Sequence, residues 1–211
     1  IARAMVQAGM KVALTSRQQA AAHEAAAELN QLQPGSAIGI EADVVDYIAQ
    51  EDSVKQTIEA FGQLDVLIAN AGVGHFASIE DMSHLQWQQT IDINLTGVFN
   101  SVKAAIPAIK QSKGYIITIA SLAGTNFFAK GAAYNASKFG LVGFTQAIML
   151  DLRKYGVKVS TIMPGSVATY FNDHTPSAAD AWKIQPEDIG QITLDLLRMH
   201  PRTLPSKVEV R

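Results

Sequence analysis

Tyr134 and Lys138 stand four residues apart in Tyr134-Asn-Ala-Ser-Lys138, inside a stretch that reads as one long helix. On a helix, positions i and i+4 share a face, so the phenol and the ammonium point the same way. A free tyrosine titrates near ~10, too high for ready proton exchange at neutral pH, and a nearby cation favours the phenolate. Such a pair suits an acid that protonates the alkoxide left by hydride addition to a ketone, and a base in reverse. Alone, the spacing equally describes a half-buried tyrosine beside a surface lysine. Ser121 adds to it. This serine follows an apolar run and precedes the tyrosine by 13 residues, and its hydroxyl can hold a substrate oxygen near the phenol. Otherwise, a serine after a strand is an ordinary turn or cap residue.

The elements that must position these groups alternate regularly. Lys11–Thr15, Ala37–Ala42, Asp65–Ala69, Tyr115–Ala120, Lys158–Met163 and Val208–Val210 read as strands. Helices are expected over Gln18–Leu32, Ile48–Phe61, about Leu85–Lys110, Ala132–Tyr155 and Pro186–Met199. Pro34-Gly35, Gly62 and Gly156 stop three of them, and Ser83 with Gln86 forms a capping-box pattern opening the third. Ile1–Gly9 looks like the body of a further helix ending at a glycine, and is expected to follow some preceding structure. Strand–helix alternation means βαβ crossovers, hence one doubly wound α/β domain over residues 1–211 with a parallel sheet covered on both faces. Ligands of such folds bind beyond the carboxyl ends of the strands, where Ser121 and the loops at Asn70 and Pro164 fall.

Composition narrows the classes. The chain has 211 residues, 48% hydrophobic and 17% charged, enough for one core and unlike a disordered segment. A net charge of −2 provides no field to recruit nucleic acid or an anionic membrane, and no run approaches a membrane span. With no cysteine there is no disulfide or thiolate chemistry, which fits a cytoplasmic location. The five histidines are scattered without ligand-like spacing, so no metal is expected.

Around Ile119-Ala-Ser121-Leu-Ala-Gly124 and the Tyr134–Lys138 pair, the chain resembles the short-chain dehydrogenase/reductase family, in the pattern of its 3-oxoacyl-carrier-protein reductase branch. The resemblance runs the length of the sequence through Asn70-Ala71-Gly72, Asn94 in Ile91-Asp-Ile-Asn-Leu-Thr-Gly97, Asp43-Val44 and Pro164-Gly165-Ser-Val167-Ala-Thr169. It implies a Rossmann-type fold and a nicotinamide-dependent enzyme interconverting carbonyls and secondary alcohols, with 3-oxoacyl thioesters or ketones in general as substrates. In it Tyr134 would be the acid/base, and Lys138 would lower its pKa and bind the nicotinamide ribose. Ser121 would orient the substrate oxygen, and Asn94 would kink its helix and hold a relay water. Asn70, Ala71 and Gly72 would wall the adenine ribose, Asp43 and Val44 would contact adenine, and Pro164, Gly165, Val167 and Thr169 would line the nicotinamide side.

Thr15-Ser16-Arg17 follows the strand where NAD enzymes place an acid for the ribose hydroxyls. Ser16 and Arg17 have no such carboxylate, and the guanidinium suits a phosphate, so NADPH is the expected cofactor; otherwise Arg17 merely solvates the next helix. The family's opening strand and its Gly-rich phosphate loop are missing from this sequence; that strand would lie between Lys11–Thr15 and Asp65–Ala69. Candidate pocket residues are His75, Phe76, Asn126, Phe127, Phe128, Tyr170 and Phe171, beneath a segment after Thr169 that is short for a lid. The resemblance also implies a homodimer or homotetramer through the two long helices, with Val98, Ala104, Ala105, Leu141, Val142 and Phe144 as contacts or, alternatively, as core. A non-catalytic nucleotide-binding scaffold is the rival reading, and the presence of Asn94, Ser121, Tyr134 and Lys138 speaks for the enzyme.

Overall fold

The computed structural model describes residues 1–211. Helix α1 (Ala2–Gln7) leads to β1 (Val12–Ser16), α2 (Gln19–Leu32), β2 (Ala37–Glu41), α3 (Tyr47–Phe61) and β3 (Val66–Ala69). Then come α4 (His84–Ile91), α5 (Gly97–Ser112), β4 (Tyr115–Ile119), α6 (Ala132–Arg153), β5 (Lys158–Pro164), α7 (Pro186–Arg198) and β6 (Lys207–Val210). All strand pairings are parallel, in the orders β1-β2 and β3-β4-β5-β6. Thus the α/β Rossmann-type class read from the sequence holds. Between β1 and β3 no ladder forms, and Lys11–Thr15 and Asp65–Ala69 face each other across a groove.

The core follows from the strands' own residues. Ile116, Ile117, Val159, Ile162 and Met163 are wholly buried, as expected of central parallel strands covered on both faces. Alternation along β4 sends Ile116 towards α5 and α6, where it joins Val98, Val102, Ala105, Ile109 and Leu141. Ile117 goes to the other face with Ile189 and Leu196 of α7. Each such side chain contributes roughly 1.5–3 kcal/mol over an exposed one. Val98, Ala105 and Leu141 are therefore core residues rather than contacts for a second copy, and Ala104 is 9% exposed. The large apolar side chains that these helices leave exposed are Phe99, Phe139 and Leu150.

Local chemistry explains the ends. Asp46 caps α3 by accepting from the Ile48 and Ala49 amides, and Gly62 stops it at φ 88°, a backbone conformation other residues avoid. The Ser83–Gln86 capping box forms as expected. The helix expected over Leu85–Lys110 is interrupted by a π-turn, Asp92–Thr96, closed by the Gly97 amide donating to the Asp92 carbonyl. The interruption contains Asn94, where the resemblance implied a kink; an extra residue in one turn leaves no trace in hydrophobic periodicity itself.

Helix α2 lies against β2 through a glycine. A Cβ at Gly39 would stand 2.2 Å from the Ala22 carbonyl oxygen and 2.7 Å from the His23 nitrogen, both backbone atoms. Gly39→Ala is therefore expected to cost about 1–3 kcal/mol by forcing α2 off the sheet. Urea unfolding measures it, and an unchanged midpoint would show that the helix can shift freely.

Candidate active site

Asn94 sits in the π-turn, fully buried. Its Oδ1 accepts from the Val73 amide at 2.8 Å, and its Nδ2 donates to the Val73 carbonyl at 2.9 Å and to Ser137 Oγ at 3.0 Å. The Ser137 hydroxyl in turn donates to the Tyr134 carbonyl at 2.8 Å. A buried amide that finds all these partners is stabilising, whereas losing one leaves a desolvation cost of about 1–3 kcal/mol. One side chain thus ties the Asn70–Val73 loop, at the end of β3, to the first turn of α6. The bulge in the helix turns this amide inward.

On α6, Tyr134 and Lys138 share a face, as their spacing requires. Lys138 is 4% exposed, and its Nζ donates to the Ile119 carbonyl at 3.1 Å, at the end of β4. Burial pushes the ammonium down to about 8. Its position 5.7 Å from the centre of the Tyr134 ring brings cation and phenol together. Burial also raises the Tyr134 phenol, and the Ser121 hydroxyl acts in the opposite direction more weakly. In the ligand-free protein burial thus governs the phenol and raises it, and Lys138 is not among the causes of its shift. Ser121 itself is set by its bonds, accepting from the Ala123 amide at 3.1 Å and donating to the Pro164 carbonyl at 3.4 Å.

Ser121, Tyr134 and Lys138 line one cavity of about 1320 Å³ that includes the groove between β1 and β3, while Asn94 lies off its wall. Asn70, Ala71, Gly72, Val44, Pro164, Gly165, Val167 and Thr169 line it too, as do Phe76 and Phe171. Gly72 lies close to the cluster, since a Cβ there would stand a tight 3.3 Å from Asn94 Oδ1 and in ordinary contact, 3.7 Å, with Lys138 Nζ. Other candidates stand off its wall. Ser16, Arg17 and Asp43 lie at the ends of β1 and β2, with Ser16 Oγ accepting from the Gln18 amide and Asp43 Oδ1 from the Val45 amide. His75 and Asn126 are not on the lining, while Phe127 and Tyr170 turn outward, 87% and 77% exposed. Phe128 packs on Phe76 at 5.8 Å.

Two positions that shape the site escaped the sequence reading. Ser137, wholly buried, is the link between Asn94 and the Tyr134 backbone. Asn135 donates to the Ala123 and Asn126 carbonyls, both at 2.8 Å, and so shapes the loop that carries Ser121 towards Phe128. Both lie inside the Tyr134–Lys138 motif, and small polar residues between two chemical ones were the available signal. The segment after Thr169 is also more built than expected. It contains turns at Phe171–Asp173 and Ala178–Asp180 and is pinned at its base by a bridge between Val167 and Ile184.

A parallel sheet with a Ser–Tyr–Lys cluster beyond its strand ends defines a class of nicotinamide-linked oxidoreductases. The chain belongs to the short-chain dehydrogenase family, whose model, described as short chain dehydrogenase, matches residues 1–180. It is 44% identical over 133 residues to trans-4-hydroxycyclohexanecarboxylate dehydrogenase of Sinomonas cyclohexanicum, a match covering 63% of this chain and 51% of that one. It is 36% identical to a 3-oxoacyl-[acyl-carrier-protein] reductase of Synechocystis, over 80% of this chain and 68% of the relative. The alcohol dehydrogenase of Thermococcus sibiricus, solved with 5-hydroxy-NADP, superposes with a TM-score of 0.92 at 26% identity, covering 100% of this chain and 89% of that one.

The buried ammonium has a measurable consequence. Between pH 8 and 10.5 the unfolded chain holds more protons at Lys138 than the folded one, so stability rises with pH there; below 8 the full cost of the buried charge applies. Relative to Lys138→Met, the ligand-free protein should gain on the order of 2 kcal/mol between pH 8 and pH 10. Urea unfolding across that range reads the difference, and parallel pH profiles would exclude a buried charged lysine.

Proposed function

We propose that the protein is an NADP-dependent oxidoreductase that interconverts a ketone and a secondary alcohol, with Tyr134 as acid and base. The observation that carries the reading is the meeting of Ser121, Tyr134 and Lys138 on one wall of the cavity, beyond the ends of β4 and β5. The nicotinamide half of the cofactor fits. Lys138 has three N–H donors and one protein acceptor, which leaves donors for ribose hydroxyls. The glycine at 72 lets a ligand approach the ammonium closely, and Val167 and Thr169 border the same space.

Reduced nicotinamide, when bound, supplies the hydride that attacks the carbonyl carbon. Ser121 Oγ donates to the carbonyl oxygen and holds it beside the phenol. As the C=O electron pair moves to oxygen, the Tyr134 hydroxyl delivers its proton there, and the alcohol is complete. The burial that raises the phenol keeps it protonated until a ligand binds. Lys138 stabilises the phenolate left behind, and its charge counts for more in a dry site than in water. Asn94 and Ser137 act by holding the first turn of α6 in place. In the oxidative direction each proton moves the other way.

The choice of NADP rests on Arg17. It is exposed just past β1, takes no part in the chain's ion pairs, and can offer a planar fork to a ribose phosphate. One observation favours NAD instead: Glu41 pairs in register with Ser16 and brings a carboxylate near the same end of the sheet. The reading also includes a homo-oligomer, supported by the exposed Phe99, Phe139 and Leu150 on α5 and α6.

Tyr134→Phe should lower turnover by about 10²–10⁴-fold while cofactor affinity stays within error, because it removes the transferred proton and little else. Steady-state rates and cofactor titration check this, and undiminished turnover rules Tyr134 out as the acid. NADPH should show a lower KM than NADH, and Arg17→Ala should raise the NADPH value alone. A lower KM for NADH would assign the site to NAD through Glu41.

A further inference from the structure

The walls beside the phenol are aromatic. Phe76 lies 5.4 Å from the Tyr134 ring, edge-on at 66°, and Phe171 lies 5.9 Å from it at 52°. They come from different loops, Phe76 from the one after β3 and Phe171 from the one after β5. Both rings converge on a glycine. A Cβ at Gly74 would come within 2.8 Å of Phe171 Cζ and 2.9 Å of Phe76 Cζ, so a larger residue there would push the rings out. Phe128 extends the wall behind Phe76. Yet Phe76, Phe128 and Phe171 keep 40%, 48% and 39% of their surface exposed, leaving aromatic faces without a protein partner next to the reacting group.

Charge near this wall is already spent. Of the basic side chains bordering the cavity, Lys183 pairs with Asp180 at 2.5 Å and His174 Nε2 hydrogen-bonds to the same carboxylate at 2.9 Å, with Asp180 itself buried. The Ser177 amide donates to the same carboxylate at 2.9 Å. Lys138 keeps donors that the reading above assigns to the cofactor ribose, and Lys11 lies on the groove between β1 and β3. A carboxylate on the substrate would lose its hydration here without gaining a free counter-ion. A flat ring, in contrast, finds ring edges and faces to pack on, and brings fewer rotors to freeze than an open chain.

We infer that the reacting carbonyl is carried on a neutral ring, so that alicyclic and aromatic ketones and their ring alcohols are the substrate class. This rests on the oxidoreductase reading above. The test compares kcat/KM of the purified protein for 4-ethylcyclohexanone, for 2-octanone of equal carbon count, and for 4-oxocyclohexanecarboxylate, each with NADPH and with NADH. The neutral ring ketone should exceed both others by at least roughly tenfold, the discrimination a hydrophobic pocket can supply. Phe171→Ala and the milder Phe171→Leu should raise KM for the ring ketone severalfold, leave kcat within about twofold and narrow the preference over 2-octanone. Equal or better use of the open-chain or carboxylate substrate overturns the inference alone. Loss of kcat with unchanged KM in both variants also overturns it. Reduction of no carbonyl at all overturns the oxidoreductase reading, and the inference falls with it.

Discussion

Three hydrogen bonds made by the buried amide of Asn94 hold the backbone around the Ser121, Tyr134 and Lys138 cluster. They join three segments that are remote in sequence: the loop after β3, the π-turn and the start of α6. Two go to both backbone groups of Val73, so the loop is held in position and in orientation. The third reaches Ser137, whose own hydroxyl grips the Tyr134 carbonyl. An α-helix cannot turn a side chain inward out of phase without an extra residue, and the π-turn supplies it. The irregularity in the helix is therefore the condition for a regular site.

Held this way, two ionisable groups share a place that favours neither charge. Burial lowers Lys138 and raises Tyr134, the opposite of what their mutual attraction would do. The opposition is resolved by a ligand. Hydroxyls or a developing negative charge at the phenol would give the ammonium the partners that Ile119 alone does not provide. The ligand-free molecule is thus poised, with a protonated phenol, an underused cation and a serine hydroxyl oriented by backbone groups. Its surroundings divide the work. Backbone-bonded polar residues lie beneath the reacting groups, and unpartnered aromatic rings stand beside them.

Much of this was legible beforehand, and particular residues show why. Strand and helix order, the Asp65–Ala69 and Tyr115–Ala120 runs and the Ser83 cap depend on local patterns, and the structure reproduces them within a residue or so. Periodicity did not show the break at Asp92–Thr96, because Ile91, Leu95 and Val98 keep an apolar rhythm across it; only the family resemblance implied a kink at Asn94. Among the aromatic candidates, Phe76, Phe128 and Phe171 gather near Tyr134, whereas Phe127 and Tyr170 face outward. Neighbouring phenylalanines are chemically identical, and only the path of the loop separates them. Arg17 and Asp43 were placed at the right strand ends, off the cavity wall.

From the sequence alone came the class of fold, the face shared by Tyr134 and Lys138, and the chemistry that pair can perform, since these follow from periodicity and residue type. Tertiary structure decided the rest: that Asn94 turns inward, that burial raises the phenol, and that Asp180 holds both His174 and Lys183. The physical reason is common to all three. Each depends on burial and on partners distant along the chain or brought together by a loop, and neither is a property of a residue and its spacing.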